Sequence, residues 1–541
     1  MTTVATASAP SGIPATAEAA HRPDFQRAEY IAATPARDLC NDLMAGSEAI
    51  RAGGEKYLPR WPAEKKANYK LRAAIAQVAR YYHRTVQASV GMICATPPAL
   101  SDNADPLIAA DWEDIDGRGT HGEVFAAQIA TDAVNGGFAV ILVDAPPIPD
   151  GLNLTLADEQ ALGLRPFWVG IPSERVLSWI VDVPDWAALL RDFADGTLTA
   201  DQVSAYARQA IIRQVVIHEP TDAVSGTFGT RSVDRYRVLR LDDGGVTFTV
   251  YEKVPARGAT GEHFAIVAAG TMLQAKRRPF RQIPIAPVYA GRKVAPFVAS
   301  PPLLALAELN LDHYQVTADR RYLMRLCHAP TLFLAGFQEE DDGTGGKKKI
   351  EVGPNSVLIS SDSTAKAEYV AADPSALDSS KEEKDDLVDQ MATLGMSFIG
   401  RTRQATPETA TGRQLDDAAE NANHATVARG LQDGLEQALK FHAMYRGVPA
   451  PEVAVNTTYA DPSVDPQMAS VLWQAVATDK LDIESFIEYV STGSLPDDIA
   501  MRLDVLKMAA KEAADNALAS HSANTNPGPK PAGAIDPALA A

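Results

Sequence analysis

Residues 303–326 read LLALAELNLDHYQVTADRRYLMRL, a helical pattern that Pro330 ends. Three strand-like runs follow: PTLFLAG (330–336), KKIEVGPNSVLI (348–359) and KAEYVAA (366–372), with the polar loop QEEDDGTGGKKK (338–349) between the first two. The pattern then returns to helix in ADPSALDSSKEEKDDLVDQMATLGMSF (372–398). Asp373 is placed to cap that helix, Pro374 suits its first position, and acids crowd its early turns, where the macrodipole favours them. Leu387, Met391, Leu394 and Phe398 make one apolar stripe at spacings of four, three and four. A small β unit therefore sits between two helices, as a head sits on a two-legged stalk.

Beyond the stalk, a short loop carries Arg401 and Arg403 and has no apolar core of its own. A helical pattern then runs from Arg413 to about Tyr445, with Val427, Leu431, Leu435 and Leu439 on one face. Such a helix would be about 50 Å long. Gly430 and Gly434 weaken its middle, so a bend is expected there. Shorter helices are expected around Pro466–Thr478 and Ile483–Asn516, the second broken near TGSLPDD.

Upstream, residues 63–87 read as one helix whose apolar face is Leu71, Ile75, Val78 and Tyr82, ended by Pro97 and Pro98. Glu123–Val134 reads as a helix stopped by Gly136 and Gly137, and FAVILVD (138–144) as a buried strand. Residues 213–289 are β-rich, with RYRVLRL and VTFTVYE flanking the hairpin signature DDGG (242–245).

The bulk numbers narrow the function classes. The 541 residues and 46% hydrophobic content suffice for two or more packed domains. A formal charge of -19 disfavours a protein that grips phosphate over its whole surface. Cys40, Cys94 and Cys327 lie far apart, which argues against a disulfide framework and against a zinc site, and points to a reducing compartment. No apolar run approaches the roughly 20 residues of a membrane span. The first residues, MTTVATASAPSGIPATAEAA, carry no secretory signature and read as a disordered tail, as does SHSANTNPGPKPAGAIDPALAA at the other end.

The sharpest enzyme-like signal is GRGTHG, where Gly117, Gly119 and Gly122 form G-x-G-x-x-G and Asp144 follows 22 residues after Gly122. That is the order of a dinucleotide-binding unit, with an acid placed for a ribose. Such a unit needs a strand immediately before the first glycine. Here the preceding residues, LIAADWEDID, are acidic and more helix-like, so a glycine-rich connection between two helices is the simpler reading. DGTGGKKK lacks the first glycine and the Ser/Thr of a phosphate loop and reads as a solvated hairpin tip. The histidines show no metal-ligand spacing, and the carboxylate pairs Asp385–Asp386 and Asp416–Asp417 sit on helices. No catalytic residue, metal ligand or cofactor is assigned, and the chain is not read as an enzyme.

The order of these segments resembles the portal, or head–tail connector, proteins of tailed bacteriophages, and most of all a branch long filed as a domain of unknown function. The likeness rests on EKYLPRWPAEKKANYKLRAAIAQVARYYHRTVQASVGMICATPP, GGFAVILVDAPP, RPFWVGIPSERVLSW, PPLLALAELNLDHYQVTADRRYLMRLCHAPTLFLAG, MATLGMSF and TATGRQLDDAAENANHATVARGLQDGLEQALKF, and spans roughly 45–515. It implies an α+β fold: a mixed α/β wing, a two-helix stem, a small α/β clip and a helical crown. Mapped here, a disordered tail covers 1–44 and the wing 45–298. The stem helices are 299–330 and 373–397, flanking the clip at 331–372. A tunnel loop follows at 398–412, a long wing helix at 413–460, crown-like helices at 461–517 and a disordered tail at 518–541.

The resemblance further implies a ring of twelve copies at one capsid vertex, in the virion, assembled in the host cytoplasm. Its partners would be other copies of itself, the major capsid protein, the terminase packaging motor, neck or adaptor proteins, and double-stranded DNA passing through without sequence specificity; no membrane is involved. Arg401 and Arg403 would face DNA from the tunnel loop, on position alone, and Lys347, Lys348 and Lys349 would dock partners at the clip tip. Twelve copies would carry about -230 formal charges, so a passing duplex would not adhere, while a few mobile cations touch its backbone. The other readings are an oxidoreductase-like dinucleotide binder built on Gly117, Gly119, Gly122 and Asp144, and a monomeric capsid adaptor.

Overall fold

The computed structural model describes residues 22–146, 158, 162–182, 190–191, 193–196, 211–255, 262–328, 331–336, 362, 364–370, 375–394, 410–457, 466–478 and 480–492. The chain is a mixed α and β protein. It divides into two compact units, Met1–Glu408 with Asn423–Thr457, and Thr409–Ala422 with Thr458–Ala541.

The core of the first unit is a three-stranded antiparallel sheet with Phe138–Asp144 in the middle, flanked by Ile285–Tyr289 and Phe167–Pro172. Phe138 through Val143 are all buried. A run buried on both faces cannot alternate in polarity, which is why FAVILVD reads as a continuous apolar stretch. The helix Gly122–Gly136 packs on this sheet and ends at Gly137, whose φ of 85° is the left-handed geometry that a side chain would strain.

A five-stranded antiparallel sheet lies beside it in sequence, ordered Glu262–Thr271, Gly245–Pro255, Arg235–Asp242, Ile211–His218, Val176–Asp182. Its hairpin turns at DDGG, with Asp242 paired to Gly245 and Gly245 at φ 118°.

Two expectations are corrected. The N-terminal tail does not extend to residue 44: Ala28–Ala45 is a helix with Tyr30, Leu39, Cys40 and Leu43 buried. Pro35 inside it disguised the pattern. The Tyr30 carbonyl, five residues before the proline, accepts from Thr34 Oγ1 at 2.9 Å and Arg37 Nη2 at 3.2 Å. Residues 1–21 and 518–541 lie outside the described residues.

The single helix expected over 63–87 is two, Lys66–Ile75 and Tyr81–Ile93, with an extended break between them. Leu71, assigned to the apolar face, is 41% exposed, and its neighbour Arg72 is buried instead.

The long helix runs unbroken over Ala410–Arg446, and Leu431, Leu435 and Leu439 are fully buried. Gly430 and Gly434 lie within it. A Cβ on Gly430 would collide with the Tyr289 carbonyl, and one on Gly434 with the Val288 side chain. The glycines let the helix lie directly on the strand Ile285–Tyr289. After the helix, Val453–Ala454 pairs with Ala99–Leu100.

In the second unit, Pro466–Ala477 packs on Ile483–Thr492, with the Trp473 and Phe486 rings 5.3 Å apart. Among the described residues no helix is long and apolar enough to cross a membrane.

Candidate functional site: the helix pair, its hairpin and its anchor

The leading stalk helix is Leu304–His328 and the trailing one Ser375–Thr393, and the two pack together. The N-terminal half of the leading helix is set in the core: Leu306, Ala307, Asn310, His313, Tyr314 and Ala318 are buried. Asn310 explains the break upstream. Its Oδ1 accepts from the Tyr82 amide at 3.0 Å and its Nδ2 donates to the Ala79 carbonyl at 3.0 Å. Arg321 donates to the Ile75 carbonyl, Arg51 to that of Ala76, and the Val78 amide donates to Ser47. Side chains from far along the chain thus satisfy the backbone groups an interrupted helix leaves bare.

A buried charge centre pins the same helix about two and a half turns further on, at Asp319. Arg72, 1% exposed, donates to Glu64 at 2.9 and 3.2 Å, to Asp319 at 2.8 Å and to the Pro59 carbonyl at 2.7 Å. Its guanidinium lies 4.2 Å from the Trp61 ring centroid, and Trp61 meets Tyr322 edge-on. The Arg72 hydrogen bond holds the Glu64 carboxyl below its ordinary range, whereas burial pushes the Asp319 carboxyl up against the pull of Arg72.

Past Met324 the leading helix becomes largely exposed and leads to a pair of strands, Thr331–Ala335 against Lys366–Val370. Phe333, Tyr369 and Val370 are each more than half exposed. In this register Tyr369 lies opposite Leu332 on one face, while Phe333 and Val370 share the other. Among the described residues the ladder has these two strands, and they carry apolar groups on both faces.

On the trailing helix Met391 is buried as expected, but Leu394 is 48% exposed and Val388 takes its place in the core. Phe398, Asp373 and Pro374 lie outside the described residues, as do Arg401, Arg403, Lys347, Lys348, Lys349 and the strand-like run 348–359.

The glycine cluster is built as a tight turn. The helix Pro106–Trp112, and not a strand, precedes Gly117. Asp116 Oδ1 accepts from the Arg118 and Thr120 amides, and Asp114 Oδ1 from the Gly119 amide at 2.6 Å. The amides of this turn thus face carboxylates of the chain itself. Gly122 is filled by the Trp112 indole, and Asp144 is bound by Arg237 at 2.6 Å.

One centre escaped sequence reasoning. Asp111, 3% exposed, accepts from His442 Nε2 at 2.8 Å and from Arg446 Nη2 at 2.6 Å. It ties the short helix Pro106–Trp112 to the long one. Burial alone would raise the Asp111 carboxyl, but the hydrogen bonds from His442 and Arg446 bring it below its ordinary range. Burial lowers His442, against the pull of Asp111, so the ring is neutral at pH 7. The i, i+4 spacing of His442 and Arg446 was the only signal, and it names no partner. Among the described residues no cluster of three or more His, Cys, Asp or Glu side chains is arranged to hold a metal.

The model of a family described as Domain of unknown function (DUF4055) matches residues 302–446, which begin at the leading stalk helix and end at the close of the long helix. No curated protein matches the chain by sequence. Among solved structures, the chain is similar to one in the neck of an empty GTA particle computed with C6 symmetry, at 13% identity and TM-score 0.36, covering 84% of this chain and 99% of that one. A chain of the virion of a native gene transfer agent (GTA) particle is similar at 12% identity and TM-score 0.36, with the same coverage. A third, from the neck of a native GTA particle computed with C12 symmetry, is similar at 12% identity and TM-score 0.33, covering 80% of this chain and 94% of that one.

Proposed function

We propose that the chain is the subunit of a portal-type ring at one vertex of a tailed-phage-like capsid, through which double-stranded DNA is packaged and ejected. The observation that carries this reading is the hairpin. A two-strand ladder with Phe333, Tyr369 and Val370 exposed is held by a helix pair whose base is pinned through Arg72 and Asn310. A rigidly anchored ladder that has two strands among the described residues offers its edges and exposed faces to a neighbour, and identical neighbours related by rotation close into a ring. The acidity of the chain supports a conduit that does not hold its cargo.

In this reading the loop with Arg401 and Arg403 faces the channel, and the tip with Lys347, Lys348 and Lys349 docks the packaging motor and later the neck proteins. The ring is a virion component assembled in the host cytoplasm. Electron microscopy of the purified chain, with native mass spectrometry, tests it. A ring with a central hole, of about twelve copies, is the expected result; a stable monomer at micromolar concentration returns the chain to the adaptor class. Particles built with Arg401→Ala plus Arg403→Ala should retain less DNA, and equal retention at every salt concentration removes the two arginines from the mechanism.

A further inference from the structure

One strongly charged surface has no part in the proposed function. In a chain of formal charge -19, residues 56–72 carry six cations, Lys56, Arg60, Lys65, Lys66, Lys70 and Arg72, against the single acid Glu64. Arg72 is consumed internally, Lys56 pairs with Asp38 and Arg60 with Glu55. Lys65, Lys66 and Lys70 are exposed and have no ion-pair partner among the described residues. They stand at the start of the helix Lys66–Ile75, whose N-terminus already disfavours positive charge.

The complementary surface is on the trailing stalk helix. Asp378, Glu382, Asp386 and Asp389 are exposed and recur at spacings of four, four and three, so they form one stripe. It is turned away from the buried face of Val388 and Met391. These acids too have no ion-pair partner among the described residues, and like charges four apart repel along a helix. The leading helix Leu304–His328 packs on both the basic helix and the acidic one. The helix layer therefore carries unsatisfied cations on one member and unsatisfied acids on another.

We propose that the Lys65–Lys66–Lys70 surface of one copy docks on the Asp378–Glu382–Asp386 stripe of the next, so that a head-to-tail electrostatic contact sets the order of copies around the ring. The inference rests on the ring reading. The occupant is a second copy because the matching stripe is on this same chain and has equally few partners among the described residues. A contact between two different patches is heterologous and propagates around a closed ring. Such a rim contact governs pairing and its salt dependence more than the stability of each subunit.

The test uses the full-length chain and three variants: Lys65→Glu/Lys66→Glu/Lys70→Glu, Asp378→Lys/Glu382→Lys/Asp386→Lys, and the two sets combined. Ring fraction is read by native mass spectrometry and sedimentation at about 0.1 M salt, where screening acts over about 10 Å. Each single-sided variant should lose rings roughly tenfold while melting like the parent chain, and the combined variant, in which the charges again oppose, should recover them. If the parent forms rings and single-sided reversal leaves them intact, or the combined variant is as defective as the worse of the two, the docking proposal falls and the ring reading stands. If rings persist in the lysine variant but retention of a DNA fragment drops, the patch serves nucleic acid and the proposal is overturned. If the parent itself is monomeric, the ring reading falls first and takes the proposal with it.

Discussion

Gly430 and Tyr289 touch backbone to backbone: a methyl group at position 430 would occupy the place of the Tyr289 carbonyl oxygen. The long helix seats on the core sheet through that contact and the one Gly434 makes with Val288. Helix propensity alone favours alanine over glycine by about 1 kcal/mol. Packing wins here, because neither backbone can yield cheaply. Gly430→Ala should destabilise the first unit by ~2 kcal/mol or more in urea unfolding. A rise in stability would show that the helix rides off the sheet.

Arg72 should be costly to truncate. Removing it leaves Glu64, with a side chain only 3% exposed, as an uncompensated charge, a loss of about 3–5 kcal/mol. The pH dependence follows from the lowered Glu64 value. Its contribution is full above the ordinary 4.5 and disappears as pH falls through the lowered folded value. The stability gap between the parent and Glu64→Gln, measured by urea unfolding, should therefore shrink as the solution is acidified below pH 4.5.

Those two sites show what could and could not be read in advance. FAVILVD and DDGG declare themselves because run length, burial and turn chemistry are local. Of the three strand-like runs between the stalk helices, the first and third are the paired strands Thr331–Ala335 and Lys366–Val370, legible for the same reason, while the middle run, 348–359, lies outside the described residues. Arg72 was not legible, because Asp319, one of its partners, lies 247 residues away, and Leu71 looked like the better core residue. Pro35 hid a helix, and Gly430 looked like a weakness until its neighbour was known. The proposed site divides likewise: the hairpin strands are described, while Arg401, Arg403 and the three tip lysines lie outside the described residues.

His442 gives a second pH signature of the same sign at higher pH. Its folded value lies below 6.5, lowered by burial. The unfolded chain therefore takes up the proton first, and stability declines as pH falls below 6.5. Asp111, Arg446 and Arg165 surround the ring; Asp111 opposes the shift and the two arginines reinforce it. His442→Gln should flatten the stability profile between about pH 6.5 and 5. An unchanged slope in thermal melts across that range would mean that the ring takes up its proton equally in the folded and unfolded chain.

The hairpin can be tested apart from the charges. Phe333→Ser with Tyr369→Ser removes exposed apolar surface and leaves the core untouched. Monomer stability should stay within about 0.5 kcal/mol, while assembly, followed by sedimentation, weakens. Unaltered assembly would move the contact elsewhere.

The central strand Phe138–Asp144 also sets a schedule for synthesis. Its partner Phe167–Pro172 emerges soon after it, but Ile285–Tyr289 follows more than 140 residues later, and the helix lying on that strand ends only at Arg446. At about 5–20 residues per second, roughly 15–60 s pass between translation of the strand and translation of the end of that helix. Throughout that interval the most apolar stretch of the nascent chain lacks its final cover. Chaperone supply during translation, and not only the stability of the finished fold, should therefore limit the yield of competent subunits.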